Sequence, residues 1–161
     1  MDTLAALIAD GHSYRLRRAV RADLPALLAM LADDQLGATR EDPGDADAYE
    51  SAFAVIDGDP AQVLAVATAA DDMPVGMMQI TYIPGLARRG ALRSQIESVR
   101  VAEAHRGRGL GGAMIRWAVD EARRRDCALV QLTSDKRRTD AHRFYDRLGF
   151  ANSHEGFKLH C

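Results

Sequence analysis

Residues 96–112, Ile96-Glu97-Ser98-Val99-Arg100-Val101-Ala102-Glu103-Ala104-His105-Arg106-Gly107-Arg108-Gly109-Leu110-Gly111-Gly112, constrain the fold of this chain more than any other stretch. Ile96, Val99 and Val101 are β-branched, so the segment opens as a strand. A short charged connector leads into the glycines, and the glycines lead into a helix from Gly109 to Arg125. Leu110, Met114, Ala118 and Ala122 recur at helical spacing, and Ile115 and Val119 widen the stripe. Arg123, Arg124 and Arg125 crowd the last turn, where cations suit the helix dipole. Glycine at a strand-to-helix turn lets backbone N–H groups come close to a ligand, and a helix start carries unpaired donors. A phosphate or diphosphate is the guest this turn suits, with Arg106 and Arg108 adding positive charge.

Several glycine motifs compete for the turn. A Walker loop needs Lys and then Ser or Thr after its last glycine, but Gly112 is followed by Ala113. The dinucleotide fingerprint G-x-G-x-x-G is formally present as Gly107, Gly109 and Gly112, with Asp135 after the next strand. That turn opens at the strand end, whereas here five residues separate Val101 from Gly107. A plain capped turn is the bland reading. The remaining reading is Arg106-x-x-Gly109-x-Gly111, which resembles the pyrophosphate-binding motif of the GNAT superfamily of N-acetyltransferases. The preceding Ile96–Val101 looks like that family's fourth strand, which carries a bulge. Ala141-His142-Arg143-Phe144-Tyr145-Asp146-Arg147-Leu148-Gly149-Phe150 looks like its last helix and the turn after it. Residues 14–160 follow the family order of elements.

The length of 161 residues suggests one domain, 1–161, with residues 1–12 as a short N-terminal helical extension ahead of the family-like part. Apolar residues make up 47% and charged residues 27%, ordinary for a globular fold with one core. A formal charge of −2 makes no case for nucleic acid or an anionic membrane surface as partner. Two cysteines, Cys127 and Cys161, are no disulfide framework, so a reducing cytoplasm is expected. Met1–Gly11 lacks the basic start of a secretory leader, and no apolar run is long enough to span a bilayer. The five histidines, His12, His105, His142, His154 and His160, show no ligand spacing, so no metal is expected.

In chain order, Thr3–Ala9 reads as a short helix ending at Gly11, and Tyr14–Val20 as a strand. Asp23 and Pro25 start an amphipathic helix carrying Leu24, Leu27, Leu28 and Leu31. A polar loop follows over 35–46, then a helix from Asp47 to Ile56. Gln62–Ala69 and Val75–Ile83 read as a hairpin. After the central helix come a strand over Ala128–Thr133 and a basic loop from Ser134. A helix capped by Thr139 or Asp140 then runs to the C′ residue Gly149, and Phe157–His160 would be a last strand. The fold class is α/β (α+β): a mixed, mostly antiparallel central sheet flanked by helices, as the resemblance also implies.

The resemblance implies transfer of an acetyl group from acetyl-CoA, the co-substrate, to a primary amine of a small molecule. In that setting the turn Arg106, Gly107, Arg108, Gly109, Leu110, Gly111 and Gly112 holds the diphosphate. The strand backbone of Val99, Arg100 and Val101 pairs with the amide-rich pantetheine arm. The Val99 N–H faces the oxyanion of the tetrahedral intermediate. Tyr145 matches the family's general acid, and packing of Phe144, Tyr145 and Phe150 is its structural alternative. Glu97 is the candidate base. By simple alternation it shares a face with Val99 and Val101, where an inward carboxylate has a raised pKa; the alternative is an edge carboxylate pairing Arg93 or Arg100. The bulge that the resemblance implies upsets that alternation.

Ser134, Asp135 and Asp140 could touch acceptor or coenzyme, with helix capping as the other reading of Asp140. Two family positions differ: Glu103 replaces a proline, and Arg138 replaces an asparagine, so Arg138 becomes a candidate contact to a coenzyme phosphate. The acidic run Asp33, Asp34, Glu41, Asp42, Asp45, Asp47 and Glu50 either draws in a cationic amine or is a solvated loop. A non-catalytic acyl-CoA sensor, a transferase of another acyl group, and a homodimeric assembly stand beside the leading expectation.

Overall fold

Asp10 and Gly11 decide how the chain begins. Both lie in the left-handed region, with φ of 45° and 79°, the backbone of a two-residue hairpin turn that Asp-Gly favours. Thr3–Ala9 is therefore strand β1, antiparallel to β2, His12–Arg18, with Ala9 opposite His12 and Leu7 opposite Tyr14. This corrects the helical extension expected over residues 1–12. A six-residue apolar run, Leu4–Ala9, does not distinguish strand from helix by periodicity, and the turn beside it settles the matter.

The computed structural model describes residues 2–33, 42 and 44–159. Most of the polar loop expected before the second helix, together with Asp34, Glu41, His160 and Cys161, lies outside these residues. After a 3-10 turn at Arg21–Asp23 come α1, Leu24–Ala32, and α2, Ala46–Gly58. Strands β3, Gln62–Thr68, and β4, Pro74–Pro84, form the expected hairpin. A single turn, α3, Ala87–Gly90, leads to β5, Leu92–Val101. Helix α4, Leu110–Arg124, strand β6, Leu129–Leu132, and helix α5, Thr139–Arg147, follow. Over its described residues the last strand expected at Phe157–His160 does not form: residues 150–159 have no regular structure, and Phe157 and Leu159 are exposed. So short an alternation, with no turn to pair it, carries too little information.

The chain divides into two compact units, Met1–Gln131 and Leu132–Cys161. The first holds the sheet, ordered β1-β2-β3-β4-β5-β6, with antiparallel pairing from β1 through β5. Strand β6 begins in this unit and ends at Leu132. Ala128 N–H donates to the Leu92 carbonyl at 2.8 Å and the Gln131 side chain to Gln95 at 2.6 Å. The sequence separation is the same in both contacts, so β6 runs parallel to β5.

Helix α4 lies on one face of the sheet, where a Cβ at Gly76 would meet the Met114 sulfur at 2.9 Å. Leu110, Ala113, Met114, Ile115, Ala118 and Ala122 are buried there. The other face carries α1 and α2 over a core of Ala19, Leu27, Met30, Phe53, Val66 and Met77. On that face Arg17 is 2% exposed and pairs with Asp23 through two hydrogen bonds of 2.7 and 2.9 Å. Asp23 also accepts from the Val20 N–H at 2.7 Å, so the expected helix-start residue closes the 3-10 turn before α1 and neutralises a buried cation.

Candidate active site

Strand β5 carries a bulge at the residues expected to face the coenzyme. Gln79 pairs with Glu97 and Met77 with Arg100, so Ser98 and Val99 together stand opposite Met78. Ser98 adopts φ 53°, the left-handed conformation that opens such a bulge. The extra residue reverses the alternation. Glu97 and Arg100 share the face of Gln79 and Met77, toward α1 and α2, whereas Val101 pairs with Gly76 on the α4 face.

This corrects the placement of Glu97 beside Val101. Glu97 is exposed, not inward, and has no ion pair among the described residues, with Arg93 and Arg100 included. The enclosed setting expected for it is absent. Val99, Arg100 and Val101 are half-buried. By the parallel offset, Gln131 of β6 stands level with Gln95, and β5 continues to Val101. A bulge leaves a residue outside the ladder, so the backbone at Ser98–Val99 is where a ligand can pair.

The connector is pinned from below. A 3-10 turn, Glu103–His105, joins β5 to the glycines. The His105 ring lies edge-on to Tyr14 at 5.8 Å, and its Nδ1 shares a hydrogen bond with the Tyr14 hydroxyl at 3.3 Å. Sequence reasoning missed both: His105 was weighed only as a metal ligand, and β2 is 91 residues away. Arg106 extends sideways, with Nε donating to the Val101 carbonyl at 2.9 Å and Nη2 to the Asp33 carboxylate at 2.7 Å.

The glycine turn then enters α4. Gly109 is the residue before the helix, at φ 71°, and no side chain caps the first turn. Leu110 is buried and anchors the helix start, while Gly107, Arg108 and Gly109 are exposed, Gly111 is half-buried and Gly112 is buried. The Asp10 carboxylate of the β1–β2 turn crowds Gly109: a Cβ there would lie 3.1 Å from its oxygen. Position 109 therefore favours glycine for its left-handed conformation, and a side chain there would also push the exposed Asp10 carboxylate aside. The result is an exposed helix N-terminus without a side-chain cap, flanked by Arg108, which can receive an anion.

In the second unit, Tyr145 is half-buried on α5. Its ring sits edge-on to Phe144 at 5.1 Å and to Phe150 at 5.9 Å. Gly149, at φ 88°, closes α5 as the C′ residue, and Phe150 N–H returns to the Tyr145 carbonyl at 3.1 Å. Arg138 precedes the first residue of α5 and is half-buried. Neither Thr139 nor Asp140 caps this helix: Asp140 lies in the first turn and pairs with Arg143. Asp135 binds Arg137 at 3.0 Å, and its carbonyl meets the His142 ring at 2.9 Å. The Ser134 hydroxyl is buried with no hydrogen-bond partner among the described residues.

Among the described residues no three metal-ligating side chains gather, and no helix is long and apolar enough to cross a membrane.

The comparisons agree with this geometry. The profile of the acetyltransferase (GNAT) family matches residues 26–150. A solved structure named a transcriptional regulator, from Bacillus halodurans, superposes with a TM-score of 0.87 at 43% identity, over 92% of this chain and 99% of that one. A putative acetyltransferase from Agrobacterium tumefaciens gives a TM-score of 0.76 at 30% identity, over 91% and 99%. The aminoalkylphosphonate N-acetyltransferase of Salmonella typhimurium is 38% identical over 63 residues, a match spanning 39% of this chain and 41% of that enzyme. Sheet order, bulge, uncapped glycine turn and family profile lead to one assignment: the chain belongs to the acetyltransferase (GNAT) family.

Proposed function

We propose that this protein transfers the acetyl group of acetyl-CoA to a primary amine of a small molecule by direct attack through a tetrahedral intermediate. The observation that carries this reading is the bulged β5 running into an uncapped glycine turn. One end of that segment offers bulged strand backbone at Ser98–Val99, and the other offers helix-start amides beside Arg108. A molecule with an amide-rich arm ending in a diphosphate matches both.

In this mechanism the diphosphate lies on the amides of the 106–112 turn, and Arg138 is a further candidate for a coenzyme phosphate. The pantetheine arm adds to the backbone of Val99–Val101, and the Val99 N–H donates to the developing oxyanion. Glu97, exposed on the face of α1 and α2, takes a proton from the acceptor's ammonium through water, and the neutral amine then attacks the thioester carbonyl. Tyr145 protonates the departing thiolate. Ser134 supports a ligand at the end of β6, since a buried hydroxyl without a partner is expected to meet one when a ligand arrives. The acceptor is a small amine; the Salmonella relative is named for aminoalkylphosphonates, and amines of that kind head the panel to be tried. In this reading the reaction takes place in the cytoplasm.

Thiol release from acetyl-CoA with an amine panel, run beside calorimetric titration of coenzyme A, tests the reading. Release with at least one amine is expected. Tyr145→Phe should cut turnover by about a hundredfold, the lower range for a general acid, while the coenzyme Kd stays within about twofold. Unchanged turnover in that variant removes the assignment. A sensor that binds the coenzyme without transfer is the second reading, favoured by the name of the Bacillus halodurans relative; binding without thiol release across the panel would select it.

A further inference from the structure

The turn carries two arginines in opposite situations. Arg106 is engaged along one edge: Nε on the Val101 carbonyl at 2.9 Å, Nη2 on the Asp33 carboxylate at 2.7 Å and on the Asp33 carbonyl at 3.2 Å. Its own N–H donates to the Glu103 carbonyl at 3.1 Å. Val101 is the last residue of β5, and Asp33 is the residue that closes α1. One guanidinium therefore ties the strand entering the turn to the end of a helix 73 residues earlier in the chain. Arg108, by contrast, is exposed and has no hydrogen bond or ion pair among the described residues.

Resting on the coenzyme reading above, we propose that the two arginines divide the work of the diphosphate turn. Arg106 is a positioning residue that fixes the turn against Asp33, and Arg108 is the cation that touches the diphosphate. The physical argument is one of competing acceptors. For the Nε–Nη2 edge of Arg106 to turn to a phosphate it would have to give up a charge-assisted hydrogen bond to a carboxylate and hydrogen bonds to two carbonyls, leaving all three to be resolvated. Arg108 breaks no hydrogen bond or ion pair with the described residues by turning to the ligand. The amides that hold the diphosphate are useful only where the turn is held in place, and a planar guanidinium bridging two elements restricts that position in a way a single-point lysine cannot.

The two roles differ in the sign of one substitution. If Arg106 is a ligand restrained by Asp33, then Asp33→Asn releases it and tightens coenzyme binding. If Arg106 is a strut, the same change loosens the turn and weakens binding. Calorimetric titration with coenzyme A across a series of NaCl concentrations, on wild type, Arg106→Ala, Asp33→Asn, Asp33→Glu, the Arg106→Ala/Asp33→Asn double variant and Arg108→Ala, reads this. The melting temperature of each variant without coenzyme identifies any that fails to fold, for which Arg106→Gln substitutes. Asp33→Asn and Arg106→Ala should each weaken binding by about two- to fivefold, the worth of an exposed ion pair. The double variant should lose no more than either, Asp33→Glu should stay near wild type, and the salt dependence of all four should match wild type. Arg108→Ala should weaken binding by about tenfold and flatten the salt dependence, because it removes a charge in contact with phosphate. Tighter binding in Asp33→Asn, additive losses in the double variant, or a flattened salt dependence in Arg106→Ala would overturn the division. A wild-type protein that takes up no coenzyme A at millimolar concentration would instead refute the reading on which it rests.

Discussion

Ser98 shows how much one backbone conformation can change. Its φ of 53° places a non-glycine residue in the left-handed region, and with it the register of β5 shifts by one. Such a residue costs roughly 1 to 2 kcal/mol and persists where the surroundings fix it. Ser98→Gly should therefore fold as well as wild type or gain up to about 1 kcal/mol, and Ser98→Val should lose about 1 to 3 kcal/mol. Urea unfolding with an unchanged m-value checks both. The same residue explains why Glu97 was misplaced: period-2 counting assumes an unbroken ladder. The candidate residues themselves were legible, because glycines, arginines and a tyrosine at fixed spacing are local text. Partners were not, since His105–Tyr14 and Arg106–Asp33 join residues far apart in the chain.

At the scale of elements, the buried pair Arg17–Asp23 holds β2 to the turn that starts α1. Removing one member strands the other: Asp23→Ala leaves a guanidinium that is 2% exposed without its main counter-charge. A loss of about 3 to 5 kcal/mol is expected. A paired replacement of Arg17 and Asp23 by apolar residues of similar volume should lose much less, and the comparison of the two in chemical denaturation tests the claim. Helix α4 was read within one residue at either end, because its stripe and its glycine and arginine ends agree. Strand β1 departs from the helix its sequence suggests because an apolar run of Leu, Ala and Ile suits either state, and the Asp10-Gly11 pair, which reads equally as a helix end, forms the turn that decides for the strand.

For the molecule as a whole, acid stability depends on charges that fix the β3–β4 turn to β2. Hydrogen bonds from Arg15, then from Arg17 and Thr68, pull the Asp72 carboxyl down to about 2 from an ordinary value near 3.8. A carboxylate lowered on folding stabilises the folded state above its unfolded pKa, and that contribution is lost as pH falls through the folded value. The melting temperature of wild type should drop between pH 4 and pH 2, the window set by 3.8 and about 2. Asp72→Asn should start lower and show a shallower drop over that window; an unchanged slope would remove Asp72 from the account. The sequence by itself determined the central strand–glycine–helix segment, the hairpin of β3 and β4, the mixed sheet flanked by helices, and the family, because these rest on local spacing and turn chemistry. Only the tertiary structure decided which face Glu97 takes, that the chain starts with a strand, and that Arg106 is bound to α1. Each of those depends on a bulge, a neighbouring strand or a distant carboxylate, and such partners meet only when the chain folds.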